Sequence, residues 1–458
     1  MAKLMNQTAD IVICGAGSIG IAAAYYLAQR SAGKIVLVDK HPPLSQTSAK
    51  SGENYRNWWP QPEMCHLMNR SIDLLEGLAR ESDNVFGLTR RGYVYATWDK
   101  TNILSHTLPL YQQLPVGEIR LHAGSNPASY APISHNWEGQ PDGADILLDR
   151  DLIRRTFPHF ADGVAAVVHA RRGGDLSAQQ LGMYLLKQAK WQGVVELRGE
   201  VVGFERDEAG GITAVFVQTA TGQQTIHTRT FVNAAGPFAP HINTLLGVDL
   251  PITNVFQQKV AFDDPLRVIP RTAPFTIFED SQTLPWRDDE RELLQAEPGY
   301  EWLLEEFPGG LHIKADGGEN GSWIKLGWAF NQTAETPVWK RRLLPEFLDI
   351  VVRGASRLVP GLTAYFDNVA KPVAHYGGYY SKTPENLPLI GALGVGGAYI
   401  CGAFAGFGTM ASCAAGELLA DWVCGNPLPA YAAAFAPARY QDPAYVAMLA
   451  ALGNSGEL

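Results

Sequence analysis

The segment ADIVICGAGSIGIAAAYYLAQR, residues 9–30, determines the first part of the fold. ADIVIC is an apolar run that predicts a buried strand, and GAGSIG opens a helix through Gln29. KIVLVDK, residues 34–40, predicts a second strand. Together they predict a βαβ unit of the kind that binds dinucleotides.

The glycine spacing in this unit matches the dinucleotide fingerprint. Gly15 makes the tight turn, Gly17 lets the backbone approach a pyrophosphate, and Gly20 lets the helix pack on the strand. Asp39 follows Gly20 by 19 residues and is placed to accept a hydrogen bond from a ribose hydroxyl. The fingerprint alone does not distinguish NAD from FAD.

A second glycine-rich loop favours FAD. Residues 398–423 repeat the order strand, GAFAGFG loop, helix, and residues 193–236 predict several strands that end in TFVNAAGPF. A helix N-terminus after the second loop offers N–H groups to an electron-rich ligand edge, for which an NAD-only enzyme has no need. Residues 100–165 and 250–370 predict an α+β domain inserted between these pieces.

Composition excludes several classes of protein. The 458 residues carry a net charge of −9, which argues against nucleic acid as a main partner. The N-terminal MAKLMNQTAD lacks the apolar core of a signal peptide, and the charge-free run 394–415 divides into strand, loop and helix. We therefore expect a cytoplasmic protein without a membrane segment. The scattered cysteines indicate a reducing compartment and no metal site: Cys14, Cys65, Cys401, Cys413 and Cys424.

One strand carries a lysine that needs an explanation. In GSWIKLGWAF, residues 321–330, alternation places Ile324, Leu326 and Trp328 on one face and Lys325 on the other. A lysine within an apolar strand is paired, functional or extends to the surface along its apolar stem.

Taken in order, seven motifs resemble the FAD-dependent D-amino-acid oxidase and sarcosine oxidase superfamily. They are IVICGAGSIGIAAAYYLAQR, VLVDK, SAKSGENYR, GGDLSAQQLGMYLLKQA, TFVNAAGPFAP, YYSKTPENLPLIG and YICGAFAGFGTMASCAAGELLADW. The resemblance implies an α/β FAD-binding domain of the glutathione-reductase type, interleaved with a mixed-sheet α+β substrate domain. The expected FAD-binding segments are 1–98, 166–250 and 371–458, and the substrate-binding segments are 99–165 and 251–370.

The resemblance also implies residue roles at the cofactor. The residues expected to bind FAD are Gly15, Gly17, Ser18, Gly20, Asp39, Lys40, Ser48, Ser51, Gly52, Val202, Ala235, Gly236, Gly402, Gly406, Phe407, Gly408 and Thr409. Val202 is expected to meet the adenine through its backbone. Gly378 replaces the cysteine that bonds to flavin in sarcosine oxidases, so we expect FAD to be non-covalent.

The expected chemistry differs from that of sarcosine oxidases in substrate binding. Lys325 matches the lysine that activates O2 in those enzymes, and Tyr380 and His375 are further candidates for catalysis. Met410 replaces their carboxylate-binding lysine, and only Arg56 remains near the position of their arginine. An aromatic substrate pocket is expected from Trp58, Trp59, Tyr376, Phe407 and Met410, with Tyr379 and Phe404 nearby.

The predicted function is oxidation of a bulky, cyclic or aromatic amine or amino acid to an imine, with O2 reduced to hydrogen peroxide. Two alternatives stay open. One is a D-amino-acid or 2-hydroxy-acid dehydrogenase that passes electrons to a quinone. The other is a flavin-containing assembly protein without turnover. The sequence does not indicate the oligomeric state.

Overall fold

The computed structural model describes residues 6–31, 33–124, 126 and 129–452. Residues 1–5 and 453–458 of the predicted FAD-binding segments therefore lie outside the described residues. The strands are β1 (Asn6–Thr8), β2 (Ile11–Cys14), β3 (Ile35–Asp39), β4 (Asn54–Arg56), β5 (Tyr93–Thr97), β6 (Ile119–His122), β7 (Ala144–Leu147), β8 (Ala166–Ala170), β9 (Gly173–Asp175), β10 (Val195–Arg198), β11 (Glu200–Arg206), β12 (Ile212–Thr219), β13 (Gly222–His227), β14 (Phe231–Asn233), β15 (Thr253–Asp263), β16 (Phe275–Phe278), β17 (Gln282–Thr283), β18 (Glu306–Phe307), β19 (Leu311–Asp316), β20 (Trp323–Trp328), β21 (Ala374–Lys382), β22 (Leu389–Ala392) and β23 (Ala398–Gly402). The α-helices are α1 (Ser18–Arg30), α2 (Pro62–Glu81), α3 (Lys100–Asn102), α4 (Leu108–Tyr111), α5 (Arg150–Thr156), α6 (Ala178–Trp191), α7 (Ala239–Leu245), α8 (Asp288–Ala296), α9 (Phe347–Leu358), α10 (Gly408–Cys424) and α11 (Pro443–Leu452).

A six-stranded sheet, in the order β10-β3-β2-β14-β23-β22, forms the centre of the nucleotide-binding part. Its first five strands are parallel, and β22 is antiparallel to β23. The carboxyl ends of β2, β14 and β23 therefore meet at one edge, where open α/β sheets bind ligands. The predicted βαβ unit and the predicted strand–loop–helix of residues 398–423 are both confirmed.

Helices α1 and α10 pack against each other because glycine lies at their contact. A Cβ atom on Gly416 of α10 would lie 2.7 Å from the backbone of Ala22 in α1. Ala22, Ala23 and Ala24 are fully buried, so small residues line the other side of the contact as well. A four-stranded sheet, β1-β13-β12-β11, covers one side of the nucleotide-binding part.

A nine-stranded mixed sheet, in the order β21-β15-β20-β19-β16-β5-β8-β7-β6, forms the second part of the molecule. One face packs on α9 and contains Ile324, Leu326 and Trp328 in its core. Lys325 lies on the opposite face, as the alternation predicts. That opposite face carries the side chains of the candidate site.

The sheet topology crosses the predicted domain boundaries at three strands. β5, β8 and β21 pair in the nine-stranded sheet although they lie in segments assigned to the FAD-binding domain. Their apolar pattern predicts a strand but does not reveal its partner, since pairing is non-local. Among the described helices, none combines the length and the apolar character that crossing a membrane requires.

Candidate active site

The turn between β2 and α1 leaves backbone N–H groups free at the start of the helix. Gly15 has φ +111°, and a Cβ atom on it would lie 2.2 Å from the carbonyl oxygen of Ala234. A Cβ atom on Gly20 would lie 1.8 Å from the carbonyl oxygen of Gly15, so only glycine permits this approach. The positive end of the α1 dipole therefore opens onto a cleft.

Two serines complete this turn. The backbone N–H of Ser18 donates a hydrogen bond to Oγ of Ser48 at 2.9 Å. The Ser18 hydroxyl is buried and forms no hydrogen bond within residues 6–452 as far as they are described. Because a buried hydroxyl without a partner is costly, Ser18 is suited to bond a ligand in the cleft.

Asp39 lies beside the turn at the end of β3. Its Oδ2 accepts from the Ala16 N–H at 2.7 Å, and its Oδ1 accepts from the His41 N–H at 2.7 Å. The carboxylate is thus held in place where a sugar hydroxyl is expected. Lys40 forms an exposed ion pair with Glu200 at 2.8 Å.

A cavity of about 470 Å³ runs from this turn to β15 and β21. A second cavity of about 810 Å³ shares Gly15, Asp39 and Ala235 with it and extends towards β11. Twelve of the residues predicted to bind the cofactor line the first cavity: Gly15, Gly17, Ser18, Asp39, Ser48, Ser51, Ala235, Gly236, Gly402, Gly406, Gly408 and Thr409.

The wall of the first cavity contains strained backbone. Leu44, Ala403 and Ala405 have φ values of 59°, 59° and 39°. Such conformations cost about 1–3 kcal/mol each in non-glycine residues and cluster at functional sites. Two of them lie in the loop before α10, so this loop is held in shape to present the N-terminus of α10 to the cavity.

Residues 331–343 form a strap across both cavities. Trp339 stacks on Phe238 with ring centroids 4.0 Å apart and meets His41 at 4.3 Å. The Val338 N–H donates to the Tyr379 hydroxyl at 3.0 Å, which ties the strap to β21. The strap therefore lines both cavities and is fixed by contacts with β21 and with the segment after β3.

Three lysines lie on the face of the nine-stranded sheet that borders the cavity. The strand register pairs Lys314 directly with Lys325, and Lys325 with Ala261, two residues from Lys259. All three lysines are buried. Like charges placed opposite each other destabilise a sheet, so this arrangement needs compensating charges or a function.

Carboxylates compensate two of these lysines. Lys325 Nζ lies 3.3 Å from Glu53 Oε2 and 3.3 Å from Asp316 Oδ1, and Lys314 Nζ lies 3.3 Å from Asp175 Oδ1. Burial disfavours the charge of Lys325, but the nearby Tyr376 and the two carboxylates outweigh burial and hold its pKa above the ordinary value. Lys325 is therefore a fixed, fully protonated cation.

Lys259, the third of these lysines, has different contacts. Its Nζ donates to the carbonyl oxygen of Lys50 at 3.3 Å and lies 5.6 Å from the centre of the Tyr380 ring. It forms no ion pair with any residue that the structure describes. Burial, with a further contribution from the charge of Lys325, lowers its pKa to about 8.

Arg56 occupies an aromatic cage next to this face. Its guanidinium carbon lies 4.5 Å from the Trp59 ring centre, 4.6 Å from that of Tyr93 and 5.8 Å from that of Tyr95. Its Nε donates to the carbonyl oxygen of Trp58 at 3.2 Å. The side chain is buried, and no carboxylate of the described chain forms an ion pair with it. Glu279 lies near enough for the charge of Arg56 to lower the pKa of that carboxyl, but burial outweighs this effect and raises the pKa to about 7.

Comparison with known proteins agrees with this geometry. The pattern of the DAO family, described as FAD dependent oxidoreductase, matches residues 10–422. The chain belongs to this family.

The chain is also similar to rat (Rattus norvegicus) mitochondrial dimethylglycine dehydrogenase, with 23% identity over 440 residues, covering 95% of this chain and 45% of that protein. The chain thus spans about half the length of this curated relative. Two solved structures share the fold. L-proline dehydrogenase from P. horikoshii has a TM-score of 0.72 and 20% identity, covering 95% of this chain and 99% of that one. Glycine oxidase from Geobacillus kaustophilus has a TM-score of 0.70 and 18% identity, covering 94% and 98%.

The cleft fits FAD, the cofactor of the family. The glycine turn and Ser18 suit the pyrophosphate, Asp39 suits the ribose, and the N-terminus of α10 also borders the cavity. No side chain blocks Gly378, where a Cβ atom would lie 3.4 Å from the Lys50 Cβ. That FAD is held without a covalent bond stays a prediction.

Five residues predicted to bind FAD do not line the first cavity. Val202 is 39% exposed at a bulge of β11, and Val201 lines the second cavity in its place. Lys40 also lines that second cavity. Gly20 packs behind the turn, Gly52 directs its carbonyl oxygen to Lys314, and Phe407 packs against Trp59.

The residues predicted for the substrate pocket divide into two groups. Trp59, Phe407 and Arg56 lie together, and Trp58 stacks on Tyr111 with ring centroids 3.8 Å apart. Met410 is buried in the first turn of α10, where its carbonyl oxygen accepts from Ser71. Tyr376 and Tyr380 line the cavity beside the lysines.

The predicted catalytic role of His375 receives no support from its contacts. Although the residue borders the cavity, its ring bonds Gln258 at 3.0 Å and stacks on Phe347, which belongs to the core beneath the sheet. Strand alternation explains this, because Tyr376 faces the lysines and its neighbour must face away.

Sequence reasoning missed Lys259, Trp339 and the tyrosines of β5. In FQQKVAFDD, Lys259 follows two glutamines and has the appearance of a solvated strand edge. Tyr93 and Tyr95 alternate in a short strand, which is a signal for a shared face but not for what that face meets. Trp339 lies in a loop where no periodicity marks it.

Proposed function

We propose that this FAD-dependent oxidoreductase oxidises the C–N bond of an amino acid or another amine that bears a carboxylate and a bulky, cyclic or aromatic group. The observation that carries the proposal is the Arg56 guanidinium, buried in an aromatic cage without a carboxylate partner among the described residues. A buried cation of this kind is expected to receive an anion from outside the chain. The similar proteins named above act, by their names, on proline, glycine and dimethylglycine.

Arg56 is suited to orient such a substrate. Its planar fork can hold a carboxylate through two parallel hydrogen bonds, which a lysine cannot reproduce. Trp59, Tyr93 and Tyr95 hold the guanidinium in place and exclude water from it. A carboxylate held by Arg56 would orient the C–H and C–N bonds of the substrate, which is the main contribution a protein makes to such a reaction.

Bound FAD supplies the acceptor for the hydride that leaves the substrate carbon. The chain contributes the cavity between β15, β21 and α10, and the positive end of α10 favours negative charge there. The released imine hydrolyses in water, so no further catalytic group is required for that step.

We further propose O2 as the final electron acceptor, with Lys325 as the fixed cation that stabilises the negative charge of reduced oxygen. Its full protonation supports this role, while the ion pairs with Glu53 and Asp316 hold it in one position. Reoxidation assays with dichlorophenolindophenol or a quinone in place of O2 test the alternative that the protein is a dehydrogenase.

The decisive experiment is an anaerobic screen of flavin bleaching. Matched pairs, such as proline with pyrrolidine and phenylalanine with phenethylamine, differ only in the carboxylate, and both enantiomers are included. We expect the acid of a pair to bleach the flavin faster than its amine. Equal bleaching within every pair would contradict the assignment of Arg56. No bleaching by any amine, with bleaching by 2-hydroxy acids, would contradict amine oxidation.

A further inference from the structure

The loop Lys50–Glu53 gives each of the three lysines of the cavity face a different set of hydrogen-bond and ion-pair partners. Its backbone carbonyl oxygens at Gly52 and Glu53 accept from Lys314 at 3.2 and 3.1 Å, and the Glu53 side chain pairs with Lys325. Glu53 has φ +58°, a strained conformation that directs these groups towards the sheet. Lys259 receives only the carbonyl oxygen of Lys50.

No negative charge of the described chain faces Lys259. On β20 its register partner is Gly327, and the nearby cation Lys325 lies opposite Ala261. On β19, burial lowers the pKa of His312, and the charge of Lys259 lowers that pKa further. On β21 it faces Tyr376, and the Tyr380 ring lies 5.6 Å from its Nζ. The carboxylates of Glu53 and Asp316 are engaged by Lys325.

We propose that Lys259 balances the negative charge that FAD gains on reduction, by holding or taking up one proton in the cavity. The inference rests on FAD binding in this cleft and not on the identity of the substrate. It assigns to Lys259 a role separate from the O2-directed role proposed for Lys325. Lys259 alone of the three lysines both lines the cavity and lacks a carboxylate.

The proton and electron balance follows from charge. A hydride brings two electrons and one proton to FAD and leaves one added negative charge. A buried cation is stabilised strongly by an anion in the same cavity, so the affinity of the Lys259 amine for a proton rises on reduction. Where Lys259 is neutral before reduction, the second proton comes from solvent. Where Lys259 is already protonated, no second proton is needed.

The pKa of Lys259, lowered to about 8, places this change within an accessible pH range. Below pH 8 the oxidised protein already holds the proton, and two electrons are accompanied by one proton. Above pH 8 the oxidised protein lacks it, and two electrons are accompanied by two protons. The number of protons follows from the slope of the FAD midpoint potential against pH.

The test is a potentiometric titration of the FAD-loaded protein between pH 6.5 and 9.5, with dithionite as reductant and redox dyes as mediators. We expect the wild type to change from one proton per two electrons to two near pH 8. Lys259→Met should remain at one proton throughout. Lys259→Arg should also remain at one, with a higher potential than Lys259→Met, because arginine keeps its charge.

Lys187→Met, at an exposed lysine of α6, is the matched control and should follow the wild type. Absorbance at the flavin band confirms FAD loading of every variant before titration. Equal midpoint potentials of the wild type, Lys259→Met and Lys259→Arg at every pH would overturn the proposal, as would a change near pH 8 that survives in Lys259→Met or Lys259→Arg. Since no amine is used, failure of the proposed substrate class leaves this result unaffected.

Discussion

Replacing Arg56 with methionine tests whether Arg56 binds the carboxylate of the substrate or is a cation with a purely structural role. Methionine keeps much of the apolar stem of the arginine side chain and removes its guanidinium group. Arg56 is only 7% exposed, so the relevant scale is that of buried charge pairs and not the 1 kcal/mol or less of exposed ones. Removing one partner of a buried, hydrogen-bonded pair costs about 2–5 kcal/mol. At 1.4 kcal/mol per tenfold, kcat/KM for a carboxylate substrate should fall by about 30- to 4,000-fold.

The assay compares kcat/KM for an acid and its decarboxylated amine in each variant. In Arg56→Met the acid should lose activity by that factor, while the amine changes by less than about threefold. Arg56→Lys keeps the charge without the fork and should lie between. The contacts between Arg56 and the aromatic rings do not depend on a bound carboxylate. The FAD content and the thermal unfolding temperature of Arg56→Met should therefore stay close to those of the wild type. A loss of the same size for acid and amine would refute the reasoning, since Arg56 would then shape the site without binding a carboxylate.

Four further predictions follow from other parts of the cleft. Because Gly378 offers no thiol, acid precipitation should release the yellow colour into the supernatant. Lys325→Met should leave anaerobic flavin reduction near normal and slow reoxidation by O2 about 100-fold in stopped-flow measurements; unchanged reoxidation would remove Lys325 from that step. Trp339→Ala should speed FAD dissociation about tenfold through lost stacking and burial, measured by fluorescence release. Burial, together with the charge of Lys325, lowers the pKa of Lys259 in the folded protein from 10.5 to about 8. The charged lysine therefore destabilises the folded state by its full amount below pH 8, and this destabilisation is progressively lost between pH 8 and pH 10.5. Apo Lys259→Met should therefore exceed the wild type in free energy of unfolding by about 3 kcal/mol at pH 7, and a gap that does not narrow by pH 9.5 in urea titrations would contradict this.

Local rules were sufficient for the nucleotide turn. The role of Gly20 depends on the carbonyl oxygen of Gly15, five residues away, whereas Gly15 approaches the distant Ala234, and the close approaches at both positions agree with the glycine spacing. The alternation around Lys325 likewise predicts its face, because strand periodicity is a property of the strand alone.

The remaining part of the site depends on contacts between distant segments. Whether Lys325 or Lys259 carries an unbalanced charge is decided by Glu53 and Asp316, and the position of Glu53 is set by the loop after β3. The cage of Arg56 needs β5, whose place in the nine-stranded sheet no local pattern reveals. Val201 lines the second cavity and Val202 does not, because a bulge shifts the register there, and bulges leave little trace in sequence. The backbone contact of Val202 with adenine stays a prediction.

The topology of the cleft also determines when FAD can be loaded. Its first wall, the turn after β2, is synthesised well before β23 and the first turn of α10, from Gly402 to Thr409. A nascent chain therefore has the fingerprint long before it has a site that can retain the cofactor. FAD can therefore be retained only after synthesis has passed Thr409.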